Sequence, residues 1–162
     1  MLDNAELVQD MLNSGAKVDI HNKVENSTAL HCAAEIGNTE VVKLLVDAGS
    51  SSGFDIDLKE DIDQTPLHLA TQEGHVEVMQ ILLNSGAKVD EQDQYGYTPL
   101  HYAAIMRNIQ AIKLLLEYKP NLDLKNYYGE TVCKLLKGFP ELDEQLLNLS
   151  AEKIVIDLEE TD

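Results

Sequence analysis

The chain has 162 residues, 44% of them hydrophobic, and carries 29 acidic against 12 basic side chains, a formal charge of −17. That length and apolar content suit one domain with a continuous core, and the charge repels phosphate backbones and anionic lipid, which excludes nucleic acid and membrane surfaces as expected partners. No apolar run approaches the roughly 18 to 20 residues of a membrane span, and no basic and apolar leader opens the chain, so an intracellular address, cytoplasm or nucleus, is expected.

From the N-terminus, Ala5 to Asn13 reads as a helix with Leu7, Val8, Met11 and Leu12 on its apolar face. A phrase then recurs three times: Thr28-Ala29-Leu30-His31, Thr65-Pro66-Leu67-His68 and Thr98-Pro99-Leu100-His101. The steps between threonines are 37, 33 and 33 residues, the last landing on the degenerate Thr131-Val132-Cys133-Lys134. Asn13 to Asp19 returns letter for letter as Asn84 to Asp90, 71 residues later, which is two periods plus five inserted residues. One insertion lies between Gly15 and Thr28, and four lie between Gly49 and Thr65, in Ser50-Ser51-Ser52-Gly53.

Within each copy the same order of elements is expected. Asp93 to Tyr97 forms a turn in which Gly96 supplies a positive φ, with Asn26, Asp63 and Gly129 in the same place elsewhere. Thr98 caps a short helix that Pro99 starts, and Leu100, Ala103 and Ala104 fill its inner side, as do Leu67 and Ala70, and Leu30, Ala33 and Ala34. A turn at Gly37, Gly74 or Asn108 leads to a second helix with apolar pairs such as Val41 and Val42, Met79 and Leu82, and Ile112 and Leu115. Gly49 and Gly86 are expected to end two of these helices as left-handed caps.

A 33-residue period carrying this phrase resembles the ankyrin-repeat family over nearly all of residues 3–149. The resemblance implies an all-α repeat fold, an ankyrin-repeat solenoid of stacked helix-turn-helix units with β-hairpin loops. Its parts are a half repeat at 3–22, full repeats at about 23–59, 60–92 and 93–125, and a C-terminal capping repeat at 126–149 whose last helix is Pro140 to Leu149. An acidic tail, 150–162, follows. The half repeat leaves Leu7, Val8, Met11 and Leu12 without a preceding neighbour, so either the chain is a fragment of a longer array, or the half repeat is a cap, or a second molecule covers it. A fragment is the preferred reading, and the expected state is a monomer or weak self-association through that half repeat.

Catalytic chemistry finds little support. His31, His68 and His101 are one position repeated, a whole repeat apart, and cannot converge on one metal; the resemblance implies a hydrogen-bonding brace between turn and helix. His21 and His75 stand alone, and Cys32 and Cys133 read as buried reduced thiols rather than a disulfide or zinc site. No phosphate-binding glycine loop, nucleophile elbow or metalloprotease motif is present. No enzyme activity, cofactor or metal is expected.

In the ankyrin fold the hairpin tips and the exposed sides of the first helices form a concave face that contacts partners. Carried over residue by residue, that face comprises Val24, Glu25, Ser27, Glu35 and Ile36, then Asp61, Ile62, Gln64, Gln72 and Glu73. It continues through Gln94, Tyr95, Tyr97, Ile105 and Met106 to Tyr127, Tyr128, Glu130 and Phe139. Four of the six tyrosines fall there, and tyrosine favours interface hot spots; alternatively the hairpin tyrosines only stack on one another. The face is acidic in its first half and aromatic in its second, which suits an extended partner segment with basic side chains at one end. Ile154-Val155-Ile156-Asp157-Leu158, followed by Glu159 and Glu160, resembles a SUMO-interacting motif, or folds back on the last repeat. The expected role is a non-catalytic protein-protein interaction module. The alternatives are an acidic inhibitor masking a basic segment, similar to inhibitors of Rel-type transcription factors, and a targeting segment of a larger enzyme or pathogen effector.

Overall fold

The computed structural model describes residues 4–137 together with Phe139. Among them run α1 (Asn4–Asn13), α2 (Ala29–Ile36), α3 (Thr39–Ser52), α4 (Pro66–Gln72), α5 (Val76–Asn84), α6 (Pro99–Ile105), α7 (Ile109–Glu117) and α8 (Val132–Leu135). The sole strand-type pairing among the described residues is an isolated antiparallel bridge between Lys125 and Thr131. Helices α2, α4, α6 and α8 pack in one row, α1, α3, α5 and α7 in a second, and α2/α3, α4/α5 and α6/α7 pack as pairs. One apolar core runs continuously from Ala5 to Phe139. The helix expected at Pro140 to Leu149, the tail 150–162 and the motif at Ile154 to Leu158 lie outside the described residues.

The repeated phrase explains how helices of seven residues hold. Thr65 and Thr98 accept from the backbone N–H of His68 and His101 at 3.4 and 3.3 Å, while each histidine Nδ1 accepts from the threonine's own N–H at 3.1 Å. Histidine thus does the work that glutamate does in the usual reciprocal cap. Pro66 and Pro99 take the first turn, where no backbone donor is needed. Helices this short are marginal alone, so burial of Leu67, Ala70, Leu100 and Ala103 sustains them. Each fully buried leucine contributes about 1.5–3 kcal/mol. Thr71 replaces the second alanine and satisfies its hydroxyl by donating to the Leu67 carbonyl at 2.7 Å. In α8 the cap is one-sided, because Thr131 still accepts from Lys134 N–H at 3.4 Å but a lysine side chain has no acceptor to return the bond.

Several local expectations are corrected. Gly49 ends nothing: α3 runs through it to Ser52 and takes its left-handed cap at Gly53, φ 75°. The inserted residues are an extra helical turn, and Gly49 sits inside it because a Cβ there would stand 2.6 Å from Cδ1 of the Phe54 ring. Gly86 does adopt a positive φ, 93°. The turn between α6 and α7 is made by Arg107, φ 55°, whereas Asn108 caps α7 by accepting from Ala111 N–H at 3.0 Å. Neither thiol is buried. Cys32 lies on the side of α2 away from Leu30 and Ala34, and around Cys133 the interior is filled by Val132 and Leu136. In α1, Ala5 is buried, while Leu7 and Met11 are 50% and 53% exposed.

Candidate partner-binding face

Each hairpin tip is built around one side-chain acceptor. Oδ1 of Asp93 accepts from the N–H groups of Tyr95 and Tyr97, both at 2.9 Å. Glu60 does the same for Ile62 and Gln64, and Asn126 for Tyr128 and Glu130. Asn22 serves Val24 and Glu25 in the first tip, whose closing bond spans Asn22 N–H to Ser27 O rather than four residues as at Glu60 and Gln64, which locates the single insertion. The tips are tied in a row by backbone bonds from Asp61 N–H to Glu25 O, Gln94 N–H to Ile62 O and Tyr127 N–H to Tyr95 O, at 3.1, 3.0 and 2.9 Å. These acceptors went unnoticed in the sequence, although Glu60, Asp93 and Asn126 recur at the repeat period.

The histidines lock tip to helix across each boundary. Because Nδ1 accepts a backbone N–H, Nε2 carries the proton, and it donates to Gln64 O from His31, to Tyr97 O from His68 and to Glu130 O from His101 at 3.2, 3.1 and 3.3 Å. Burial lowers the pKa of all three, to about 4 for His68. Neutral, buried and fully occupied, they are braces, as the resemblance implied. No group of three or more metal-ligating side chains gathers among the described residues.

Around this frame, Val24, Ile36, Tyr95, Ile105, Met106, Tyr127 and Tyr128 are exposed, Tyr127 and Tyr128 by more than three quarters. Ile62 and Gln94 are half-buried, and Glu73 is exposed. Other expected contact residues turn inward. Ser27 is buried, and Phe139 is 3% exposed with the Arg107 guanidinium 4.5 Å from its ring centroid. Tyr97 is half-buried, its ring 5.4 Å from that of Tyr102 and 6.5 Å from that of Tyr128. Stacking therefore accounts for Tyr97 and in part for Tyr128. Tyr95 and Tyr127 have no ring partner among the described residues.

Gln64 is also buried, 4% exposed, and sits in a network absent from the sequence reading. Tyr102 donates its hydroxyl proton to Oδ2 of Asp93 at 2.6 Å, so its oxygen must accept, and Gln64 Nε2 supplies that bond at 2.9 Å. Burial and then the Asp93 carboxylate push the Tyr102 pKa well above its ordinary value. The remaining Nε2 contact reaches Gln72 Oε1 at 3.3 Å, leaving Oε1 of Gln64 with no donor among the described residues.

Glu91 lies 3.0 Å from Lys59 and 3.3 Å from Lys88, which holds its carboxyl below the usual range; Glu130 meets Lys134 at 2.9 Å; Glu77 and Asp57 face Lys43 and Lys88 at 3.8 Å. Glu25, Glu35, Asp61 and Glu73, on the tips and first-helix ends, are exposed and have no cation within ion-pair distance among the described residues.

Known proteins share this construction. A family model for ankyrin repeats in three copies matches residues 1–93 and 51–127. The chain is 38% identical over 85 residues to mouse protein phosphatase 1 regulatory subunit 12A, covering 52% of this chain and 8% of that protein. It is 33% identical over 92 residues to the human transient receptor potential cation channel subfamily A member 1, covering 54% and 8%. The chicken nuclear factor NF-kappa-B p105 subunit is 33% identical over 90 residues, covering 56% and 9%. The chain thus spans less than a tenth of the length of these relatives. No described helix is long and apolar enough to cross a membrane.

Proposed function

Because the chain belongs to the ankyrin-repeat family, whose repeats are protein-protein interaction modules, we propose that it is a non-catalytic module that binds a partner protein through the face formed by its hairpin tips and first helices. The observation that carries this reading is the exposure of Tyr95, Tyr127, Tyr128, Ile105 and Met106 on neighbouring repeats held rigid by the histidine braces. Large apolar and aromatic side chains kept in water at the third full repeat and the capping repeat are unfavourable in isolation and become favourable anchors when a partner covers them. Ile62, Gln94 and Glu73 lie beside them as rim contacts, while Tyr97 and Gln64 act from below by fixing the tips.

A module that only displays a surface takes its biological role from the partner, and the relatives fit that logic, since their names describe a phosphatase regulatory subunit, a cation channel and a transcription-factor subunit. Inhibition by masking a basic segment is the second reading, favoured by the exposed Glu25, Glu35, Asp61 and Glu73, which have no counter-ion among the described residues. The test is affinity capture with wild type and with a Tyr95→Ala, Tyr127→Ala, Met106→Ala variant of unchanged circular dichroism. A partner retained by the first and lost from the second supports the site; an unchanged set of captured proteins rejects it. Tyr97 is left intact, because removing its ring would disturb Tyr102 and Tyr128 as well.

A further inference from the structure

We propose that the partner of this face is an extended peptide segment of a protein, with lysines or arginines lying over the first two full repeats and apolar side chains over the third full repeat and the capping repeat. The inference rests on the reading above and adds the chemistry and placement of what binds. Two features point to it. Glu25, Glu35, Asp61 and Glu73, on the first two full repeats of this face, are exposed without a counter-ion among the described residues, whereas on the later repeats Asp93 is buried and Glu130 meets Lys134 at 2.9 Å. Like charges held on one rigid frame repel, so a cationic segment relieves a cost that the free protein carries.

The second feature is apolar. Tyr95, Ile105, Met106 and Tyr127 are each 47% exposed or more, so the later repeats of the face are apolar and aromatic, while Val24 and Ile36 add exposed apolar surface beside the acids of the first full repeat. An extended segment with cationic side chains in one half and apolar side chains in the other meets both features.

The experiment uses the full chain and a fluorescein-labelled peptide of about twelve residues, with lysines and arginines in its first half and leucine and phenylalanine in its second, followed by fluorescence anisotropy. A second peptide carries glutamine at each basic position. Two protein variants with the same change in net charge are compared: Glu25→Gln, Glu35→Gln, Asp61→Asn, Glu73→Gln on the proposed face, and Asp10→Asn, Glu40→Gln, Asp47→Asn, Glu117→Gln on exposed positions of the other helix row. We expect the glutamine peptide and the first variant each to lose at least about tenfold in affinity, and the second variant to lose less than about twofold. Equal losses in the two variants would mean attraction to the net charge alone and overturn the proposal, as would no binding of the basic peptide at about millimolar protein. If the acidic substitutions have no effect but Tyr95→Ala and Tyr127→Ala weaken peptide binding, the partner chemistry is wrong while the face stands. If neither set has an effect, both readings fall.

Discussion

Nε2 of His68 donates to the carbonyl oxygen of Tyr97 at 3.1 Å, joining the start of one first helix to the hairpin tip of the next repeat. The ring works only when neutral, because Nδ1 must accept from Thr65 N–H at 3.1 Å. Stability of the stack and the position of its aromatic tips are therefore coupled to one protonation state.

A pH dependence follows. The folded pKa of His68 is lowered from 6.5 to about 4, chiefly by burial, so the unfolded chain binds a proton that the native state refuses. The contribution is fully present above the unfolded value and is lost as pH falls from there through the folded value. For a shift of this size the loss is about 3 kcal/mol in full, and His31 and His101 shift in the same direction. Urea unfolding of wild type and His68→Gln at about pH 7 and about pH 4.5 isolates the effect, since carboxylate contributions cancel between them. The disadvantage of the variant should shrink by about 2 kcal/mol at the lower pH; a constant difference would show that His68 does not titrate in this window.

Gly96 and Gly129 make the same turn, with φ of 78° and 72°, but in different surroundings. A Cβ on Gly96 would meet Asn126 Cα at 3.0 Å and Lys125 O at 3.2 Å, both main-chain atoms, whereas Gly129 has nothing within 4 Å. Gly129→Ala should cost only the left-handed backbone penalty, about 1–2 kcal/mol. Gly96→Ala should exceed it by about 1 kcal/mol or more, because the next hairpin must move. Thermal melts of both variants measure the difference, and equal midpoints would mean that the neighbouring tip yields freely.

Both thiols should react in the native protein. Cys32 and Cys133 are exposed, so Ellman's reagent should count about two thiols without denaturant. Cys32 shares a face of α2 with Glu35 and Ile36, three and four positions on. A bulky maleimide adduct there should weaken partner binding, with Cys133→Ser present to confine the label. Unaltered affinity after complete labelling would place the partner away from the first full repeat.

Much of this was legible in the residues. The phrase around Thr65 and Thr98, the glycines of the tips and the apolar pairs of the second helices announce the stack, because each repeat restates the same local rules and no single position has to be read alone. What escaped were tertiary choices. Nothing about Gly49 reveals that Phe54 folds back on it and lets α3 run on, and a thiol at Cys133 looks like a core leucine until Val132 and Leu136 fill that space. On the candidate face, Tyr95 and Tyr127 were visible as exposed aromatics. Gln64 reads as an exposed contact residue and Tyr102 as an ordinary helix position, because their buried roles come from a contact between residues 38 positions apart.

That contact yields the sharpest test of the frame beneath the face. Tyr102→Phe keeps the ring but leaves Oδ2 of the buried Asp93 without its 2.6 Å donor and removes the acceptor of Gln64 Nε2. Stranding buried polar groups costs about 1–3 kcal/mol each. Tyr118→Phe is the matched control, since its hydroxyl serves Asn84 and Gln80 at a half-buried site open to solvent on the Asn84 side, where the same deletion should cost no more than about 0.5 kcal/mol. Chemical denaturation of the two variants compares them directly. If Tyr102→Phe is as mild as Tyr118→Phe, water replaces the lost hydroxyl and the network is not closed to solvent. If it is the costlier by about 1 kcal/mol or more, the tips of the second and third full repeats are held as a unit from below, and the spacing between the acidic and aromatic halves of the face is set before any partner arrives.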